Sequence, residues 1–202
     1  MAGRPRSPDV DRRLENAALE LFAEGGLAAV SFDQVARRAR TSRTAIYRRW
    51  EAREALVASA LQALRATSEA GLEDWADRPL GAILDLFVER AAAALEDDFA
   101  RDLVRQLVAL GPDGGTVTQT YLTAMVAPRR AAFSARIREA QADGQIDPAL
   151  DPELMQDLLS GAVIHRMLLW GDLAADTDPT AYLDSVLTAI GFPRRPGQPT
   201  SA

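Results

Sequence analysis

The chain has 202 residues, a length sufficient for one sizeable hydrophobic core or two small ones. It contains no cysteine, which excludes disulfides, thiolate metal sites and a cysteine nucleophile. No apolar run is long enough to span a bilayer, and no apolar signal segment opens the chain. We therefore expect a soluble cytoplasmic protein without a membrane partner.

The charge distribution points to a polyanionic partner. The overall charge of −6 would argue against DNA if it were taken alone. Residues 1–50, however, contain ten Arg and six acidic residues (net +4), whereas residues 51–202 contain thirteen Arg and twenty-three acidic residues (net −10). A basic head on an acidic body is expected when one end of a protein faces phosphates. The alternative is a charged face that meets only solvent.

The first segments of the chain are a polar arm and a helix. Residues 1–7 are too polar to pack; Arg4 and Arg6, on either side of a proline, can lie in a narrow minor groove, or the arm can have no role. Ser7 as cap and Pro8 as first residue predict a helix that Gly25-Gly26 ends. Its apolar stripe, which would pack behind the next segment, consists of Leu14, Ala17, Ala18, Leu21 and Phe22.

The stretch from Ser31 to Trp50 predicts two short helices separated by a tight turn. Ser31 and Gln34 have the spacing of a capping box, around which Val30 and Val35 form a hydrophobic staple. Thr41-Ser42 then interrupts the pattern and can cap a second helix, from Arg43 to about Arg49. Two short helices joined by a brief turn form a helix-turn-helix, whose second helix usually reads the DNA major groove.

The outward side chains of this second helix have the chemistry of base and phosphate contacts. Arg43 can pair bidentately with guanine, and Thr44 and Ala45 can meet a base edge or a thymine methyl. Tyr47 can contact DNA, or it can be a core aromatic residue with its hydroxyl at the surface. Residues at helix beginnings, where N–H groups and positive charge favour phosphate, are further candidates. The predicted DNA-binding residues are Ser31, Thr41, Arg43, Thr44, Ala45, Tyr47, Arg48, Arg53, Arg4 and Arg6.

The sequence ARRARTSRTAIYRRWEAREALV, from Ala36 to Val57, resembles the helix-turn-helix signature of tetracycline-repressor-type (TetR family) transcriptional regulators. The matching features are a small residue, a Thr-Ser turn, three large apolar residues, a basic residue and a leucine, namely Ala39, Thr41, Ser42, Ile46, Tyr47, Trp50, Arg53 and Leu56. The family pattern has Gly where this chain has Arg40, and Lys where it has Arg53. The resemblance implies DNA contacts at Arg43, Thr44, Ala45, Tyr47 and Arg53.

Six further helices are predicted after the helix-turn-helix. The fourth opens at residues 51–54, the fifth at Pro79, and the sixth covers about residues 100–110. After the break GPDGG, a seventh run of about residues 117–142 contains Pro128, whose missing N–H predicts a kink or two abutting helices. The family resemblance implies that the fourth helix transmits the ligand state to the DNA-reading helices.

The segment DGQID, residues 143–147, has two possible interpretations. A calcium loop would need alternating acidic positions and a terminal bidentate Glu, which it lacks. Gly144 as a helix C-cap and Asp151-Pro152 as the next helix start explain it better.

The last two helices are predicted to form an oligomer interface. The eighth covers about residues 152–170, and the ninth begins at Asp178-Pro179 and ends at Gly191. Their apolar stripes are broad for a surface hairpin, and such excess indicates self-association. The family resemblance implies a dimeric four-helix bundle. The predicted interface residues are Leu158, Val163, Trp170, Leu183 and Val186.

The family resemblance also implies a small-molecule pocket within the fifth to eighth helices. The predicted ligand-binding residues are Phe87, Tyr121, Met125, His165 and Arg166. A satisfied core or interface histidine is the favoured alternative for His165. For Met125 the alternative is core packing, because methionine fills irregular gaps.

The sequence offers few side chains that are suited to catalysis. With one histidine, no cysteine and no phosphate-cradling loop or metal-ligand cluster, we expect no enzyme, cofactor or metal. We predict an all-α protein with an arm and helix-turn-helix DNA-binding domain over residues 1–52, a helical regulatory domain over 53–192 and a disordered tail over 193–202. The predicted function is regulation of transcription by a homodimer on a palindromic operator, as a repressor released by a small molecule. The alternative is a helical sensor or scaffold dimer without specific DNA binding.

Overall fold

The computed structural model of the protein describes residues 8–68, 78–170 and 177–192. Within these ranges the chain forms ten α-helices and two π-helical segments, which run together into nine helical stretches, and no β-strand, which confirms the all-α prediction. The N-terminal arm with Arg4 and Arg6, Ser7 and the C-terminal tail lie outside the described residues. Among the described helices, none combines the length and the apolar character that crossing a membrane requires.

The helices follow one another with short connections. Two of them are continued by π-helical segments, in which hydrogen bonds join residues five apart. The elements are α1 (Pro8–Ala29), α2 (Phe32–Arg38), α3 (Arg43–Tyr47), α4 (Arg53–Ser68), α5 (Leu80–Glu96), α6 (Asp98–Leu110), α7 (Gly115–Thr120) with the π-helical Tyr121–Val126 leading into α8 (Ala127–Ala142), α9 (Pro152–His165) with the π-helical Arg166–Trp170, and α10 (Pro179–Ala189).

Helix α1 is interrupted where the sequence predicts its end. Gly25 and Gly26 leave the helical conformation, and Gly26 has a φ of +64°, a region that favours glycine. A side chain at Gly26 would also approach Gln106 Oε1 to 2.7 Å. The backbone conformation therefore requires glycine here, whereas the flexible end of Gln106 could move aside.

One compact unit is formed by residues 8–68 and 102–126. Its core joins α1 to the helix-turn-helix and to α4, with additional residues from α6 and α7. The side chains without exposed surface are Leu14, Ala18, Phe22, Val30, Val35, Ile46, Leu56, Val57, Ala60, Leu61 and Val117. The predicted stripe of α1 thus packs behind the helix-turn-helix. The domain boundary after residue 52 stays a prediction.

The second compact unit is formed by residues 78–101, 127–170 and 177–192. Helices α5, α8, α9 and α10 enclose its core. The most deeply buried side chains are Ile83, Leu84, Val88, Ile137, Leu159, Leu183 and Leu187. Phe133 and Phe192 close one part of this core, with ring centroids 5.7 Å apart.

Pro128 changes the helical register instead of breaking the helix. The π-helical segment Tyr121–Val126 comes directly before α8, and Pro128 is the second residue of α8. Because proline has no N–H to donate, Pro128 leaves one intrahelical hydrogen bond unmade, and it does so where the π-helical pattern changes to the α-helical one. The predicted disturbance is therefore present as a π-to-α transition.

The end of α8 confirms the capping interpretation of residues 143–147. Gly144 has a φ of +72°, and the N–H of Gln145 donates to the carbonyl of Ala140 at 2.8 Å. Asp151 then caps α9, its carboxylate accepting from the Glu153 N–H at 2.9 Å, with Pro152 as the first helical residue. Gly191 at the end of α10 also has a positive φ, +91°.

Candidate nucleic-acid interface

The capping of α2 agrees with the sequence prediction. Ser31 is the N-cap, and its hydroxyl oxygen accepts from the Gln34 N–H at 3.3 Å. Val30 and Val35, the predicted staple, have no exposed surface. The apolar face of α2 is thus fixed in the core, whereas Ser31 remains exposed at the start of the helix.

The turn between α2 and α3 is a Schellman motif centred on Arg40. The N–H of Arg40 donates to the carbonyl of Arg37 at 3.2 Å, and that of Thr41 donates to the carbonyl of Ala36 at 2.9 Å. Arg40 has a φ of +51°, in the left-handed region. This chain therefore places Arg in a conformation that favours the glycine found in the family pattern.

Helix α3 is short and is anchored by one side chain. Ser42 is its N-cap and accepts from the Ala45 N–H at 3.3 Å. Ile46 is fully buried, whereas Arg43 and Tyr47 are exposed. Thr44 and Arg48 are exposed and Ala45 is half-buried. The helix ends at Tyr47, with Arg48 as its C-cap, and is therefore about two residues shorter than the predicted helix to Arg49.

The exposed side of α3 carries an ordered cluster around Arg43. The Arg43 guanidinium forms an ion pair with Asp33, its Nε 3.0 Å from Oδ1, and donates from a terminal nitrogen to the Tyr47 hydroxyl at 3.3 Å. The Tyr47 hydrogen bond, followed by the Asp33 charge, raises the pKa of Arg43, so this group is a permanent cation. Tyr47 is 57% exposed, which rules out the alternative of a core aromatic residue.

A second arginine of this segment has a role that the prediction missed. The side chain of Arg49 is only 9% exposed and forms an ion pair with Asp11 of α1. It also donates to the carbonyl of Ala45 at 2.9 Å. Arg49 lies three positions after Ile46, so helical spacing could have placed it on the inward side. The identity of its partner, 38 positions earlier, has no signal in the sequence.

Arg53 is held at the start of α4. It donates to the carbonyl of Leu27 at 2.8 Å and to Glu54 at 3.0 Å. Its side chain is 44% exposed, so part of the guanidinium remains accessible to a phosphate. Thr41, in the turn before α3, is half-buried.

Two family models match the chain, one over its N-terminal helices and one over the regulatory helices. Residues 15–60 match the model for bacterial regulatory proteins of the tetR family. Residues 79–186, more than half of the chain, match a tetracyclin repressor-like C-terminal domain. The chain belongs to the TetR family. This confirms the resemblance in the helix-turn-helix and extends it through the regulatory helices.

TetR-family relatives match the chain over most of its length. The HTH-type transcriptional regulator YdeS of Bacillus subtilis is 26% identical over 177 residues, 87% of this chain and 86% of its own. The DNA-binding transcriptional repressor TetR of Mycobacteroides abscessus is 27% identical over 157 residues, 77% of this chain and 80% of its own. The protein is accordingly a DNA-binding transcriptional regulator. Its family is one of regulators, not of enzymes.

Solved structures share the TetR-family fold. FadR of Bacillus subtilis, in complex with stearoyl-CoA, has a TM-score of 0.72 at 18% identity, covering 88% of this chain and 96% of its own. GusR of Salmonella enterica has a TM-score of 0.70 at 25% identity, covering 92% and 97%.

The ligand-binding residues predicted from the TetR resemblance fall into both compact units. Tyr121 and Met125, on the π-helical segment, are half-buried against the first core. Phe87 is half-buried against the second core, and His165 is exposed at the end of α9. The Arg166 guanidinium lies 4.0 Å from the centroid of the Tyr182 ring. Arg166 thus already has an aromatic contact within its own unit.

The predicted TetR-type dimer residues differ in their exposure. Leu158 is 49% exposed, whereas Val163 and Val186 are half-buried against the second core. Leu183 has no exposed surface, so the prediction that it contacts a partner is wrong, and it is a core residue of its own protomer. The side chain of Trp170 lies outside the described residues. Two leucines of the predicted apolar stripe that were not among the predicted interface residues are also exposed, Leu154 at 55% and Leu169 at 68%.

Proposed function

We propose that this regulator is a repressor that binds a palindromic operator as a homodimer in the cytoplasm and is released by a small molecule. The observation that carries the proposal is the outward face of α3, where Arg43 and Tyr47 are held in place at the surface while Ile46 anchors the helix. The name of the Mycobacteroides relative, a transcriptional repressor, supports the direction of regulation.

The proposed DNA contacts divide into base-reading and phosphate-binding residues. Arg43 would read a guanine, and Thr44 and Ala45 would meet adjacent base edges. Phosphate or sugar contacts are assigned to Ser31, Thr41, Tyr47, Arg48 and Arg53. The arm residues Arg4 and Arg6 would lie in the minor groove. The half-buried Ala45 and Thr41 offer less surface than the other members, so we assign them minor contacts.

The proposed dimer uses α9 and α10. Leu154, Leu158 and Gly161 are exposed and lie four and then three positions apart, so they share one face of α9. Ile164, 37% exposed, follows on the next turn. An exposed apolar stripe of this kind is suited to the same stripe of a second copy. A two-fold dimer would place two reading helices about 34 Å apart, in successive major grooves.

The proposed effector is a small molecule bound in the regulatory helices. FadR of Bacillus subtilis was solved with stearoyl-CoA, which supports an effector site in this fold. We propose Phe87, Tyr121, Met125, His165 and Arg166 as the first residues to test. Ligand binding must favour one of two states of the regulator, since a ligand with equal affinity for both would not change DNA binding.

The test is a selection of bound sequences from a random duplex pool at near-physiological salt, using the full-length protein. Recovery of a palindrome with half-sites about one helical turn apart is the expected result. The recovered duplex then serves as the probe in a screen for compounds that release the protein. Recovery of no sequence above background would contradict the proposal and favour a sensor or scaffold dimer.

A further inference from the structure

We infer that Asp33 determines how strictly Arg43 reads its base, by holding the guanidinium in the reading orientation. Asp33 lies in the first turn of α2 and Arg43 is the first residue of α3, so the contact crosses the turn of the helix-turn-helix. The inference rests on the proposed function, in which Arg43 contacts a guanine.

The guanidinium of Arg43 is held at two points from two helices. Its Nε lies 3.0 Å from Asp33 Oδ1 in an ion pair, and a terminal N–H donates to the Tyr47 hydroxyl at 3.3 Å. Tyr47 is itself fixed by Phe32 of α2, edge to face, with ring centroids 5.0 Å apart. The hydrogen bond to Tyr47 occupies one of the five N–H groups of the arginine, so the others can still reach the bidentate acceptors of a guanine.

Stability does not explain the ion pair between Asp33 and Arg43. Their side chains are 57% and 55% exposed, and ion pairs at such exposure contribute little to folding. The carboxylate of Asp33 also repels the phosphates that the helix-turn-helix must approach, so it lowers affinity for DNA of any sequence. Its positive effect is to immobilise a flexible side chain before binding. Immobilisation of one such side chain changes affinity by about 2- to 12-fold.

Asp33 should therefore have two effects of opposite sign, one on affinity for DNA of any sequence and one on base preference. Removal of the carboxylate should strengthen binding to random DNA, because one negative charge is lost near the phosphates. The same change should weaken the preference for the base that Arg43 reads, because the guanidinium then samples other orientations. A carboxylate that acts only through its charge would raise affinity for the operator and for random DNA by the same factor.

The experiment compares full-length variants in the random-duplex selection, with base preference at each position of the enriched site as the readout. Asp33→Ala should lower the preference at one base pair of each half-site by about 2- to 12-fold. Asp33→Asn keeps a polar group of the same shape beside Nε without the charge, so it should lower this preference less. Arg43→Ala should abolish preference at that same base pair, and Asp33→Ala should add nothing to Arg43→Ala.

The matched control is Glu24→Gln. Glu24 is an exposed carboxylate of the same unit, paired with Arg38 at 2.6 Å, and neither residue is among the predicted DNA contacts. This variant should strengthen binding to random duplex without altering any base preference. Thermal unfolding of each variant, measured beforehand, verifies that the folded protein is compared.

Two results would overturn the inference and leave the proposed function intact. One is a base preference of Asp33→Ala equal to that of the natural protein. The other is a loss at a base pair that Arg43→Ala does not affect. If the natural protein enriches no sequence, the proposed function fails, and the role of Asp33 fails with it.

Discussion

The guanidinium of Arg49 joins the carboxylate of Asp11 in α1 to the carbonyl of Ala45 in α3. The contact fixes the end of the reading helix to the helix packed behind it. It also satisfies one of the carbonyl groups that a helix C-terminus leaves without an intrahelical partner. Arg48, the preceding residue, is exposed. Of these two adjacent arginines, Arg49 therefore packs against α1 and Arg48 lies on the surface.

Arg49→Ala should lower the free energy of unfolding by about 2 kcal/mol, less than the 3–5 kcal/mol of a fully buried pair because Asp11 is partly exposed. Arg48→Ala should change it by less than about 0.5 kcal/mol. Urea unfolding of the two variants makes the comparison. Equal effects of the two substitutions would show that Arg49 does not stabilise the head.

Arg40 provides a test of backbone strain in the turn. A non-glycine residue in the left-handed region is disfavoured by about 1–2 kcal/mol. Glycine avoids this cost, but part of the gain in stability is lost because glycine also makes the unfolded chain more flexible. Arg40→Gly should therefore be about 1 kcal/mol more stable than Arg40→Ala. Both variants remove the same charge, so only the backbone differs. Equal urea midpoints would contradict the strain argument.

The local signals in the sequence were sufficient for the helix-turn-helix. The side-chain caps at Ser31 and Ser42, the staple at Val30 and Val35 and the buried Ile46 all follow from residues close in the chain. Such interactions depend on spacing alone. The family motif then predicted which exposed side chains contact DNA.

Long-range contacts were beyond the reach of the same reasoning. The pairing of Arg49 with Asp11 and that of Arg43 with Asp33 depend on how helices cross, which spacing within one helix does not specify. The dimer prediction failed at Leu183 for a related reason. An apolar stripe wide enough for two contacts does not reveal which edge meets the protomer core and which edge meets a partner.

Glu15 of α1 should make the stability of the folded protein depend on pH. Burial raises the pKa of the Glu15 carboxyl, against the hydrogen bond from Ser59, which lowers it. Between the unfolded and folded pKa values the folded state binds more protons, so the Glu15 contribution to stability falls as pH rises through that window. Glu15→Gln should be more stable than the natural protein near neutral pH, and this advantage should shrink as pH falls.

Urea unfolding at several pH values between 4 and 7 would measure this difference. Glu24→Gln is the opposing control. The hydrogen bond from Arg38 lowers the pKa of Glu24, so the Glu24 contribution is present above its unfolded pKa and is lost as pH falls. An advantage of Glu15→Gln that is independent of pH would exclude titration of Glu15 as its cause.

Arg43 and Arg53 should differ in how their loss affects DNA binding. Arg43→Ala should weaken binding to the selected site by about 1–3 kcal/mol and relax specificity at one base pair. Arg53→Ala should weaken binding to every sequence and lower the salt slope by about one. Titration of selected and random duplexes over a range of salt concentrations separates the two effects. An equal loss on both duplexes for Arg43→Ala would exclude base reading.

Two leucines of the regulatory helices provide the test of the dimer interface. Leu158 is 49% exposed, so Leu158→Glu should leave the protomer folded and weaken dimer formation by placing like charges across the two-fold axis. Leu183 is fully buried in its own protomer, so Leu183→Ala should instead lower the free energy of unfolding by about 2–5 kcal/mol. Sedimentation equilibrium and urea unfolding measure the two quantities. A Leu158→Glu protein that remains dimeric at micromolar concentration would place the interface elsewhere.

Since a monomer presents only one reading helix, the same variant should also lose its preference for the palindrome over a single half-site.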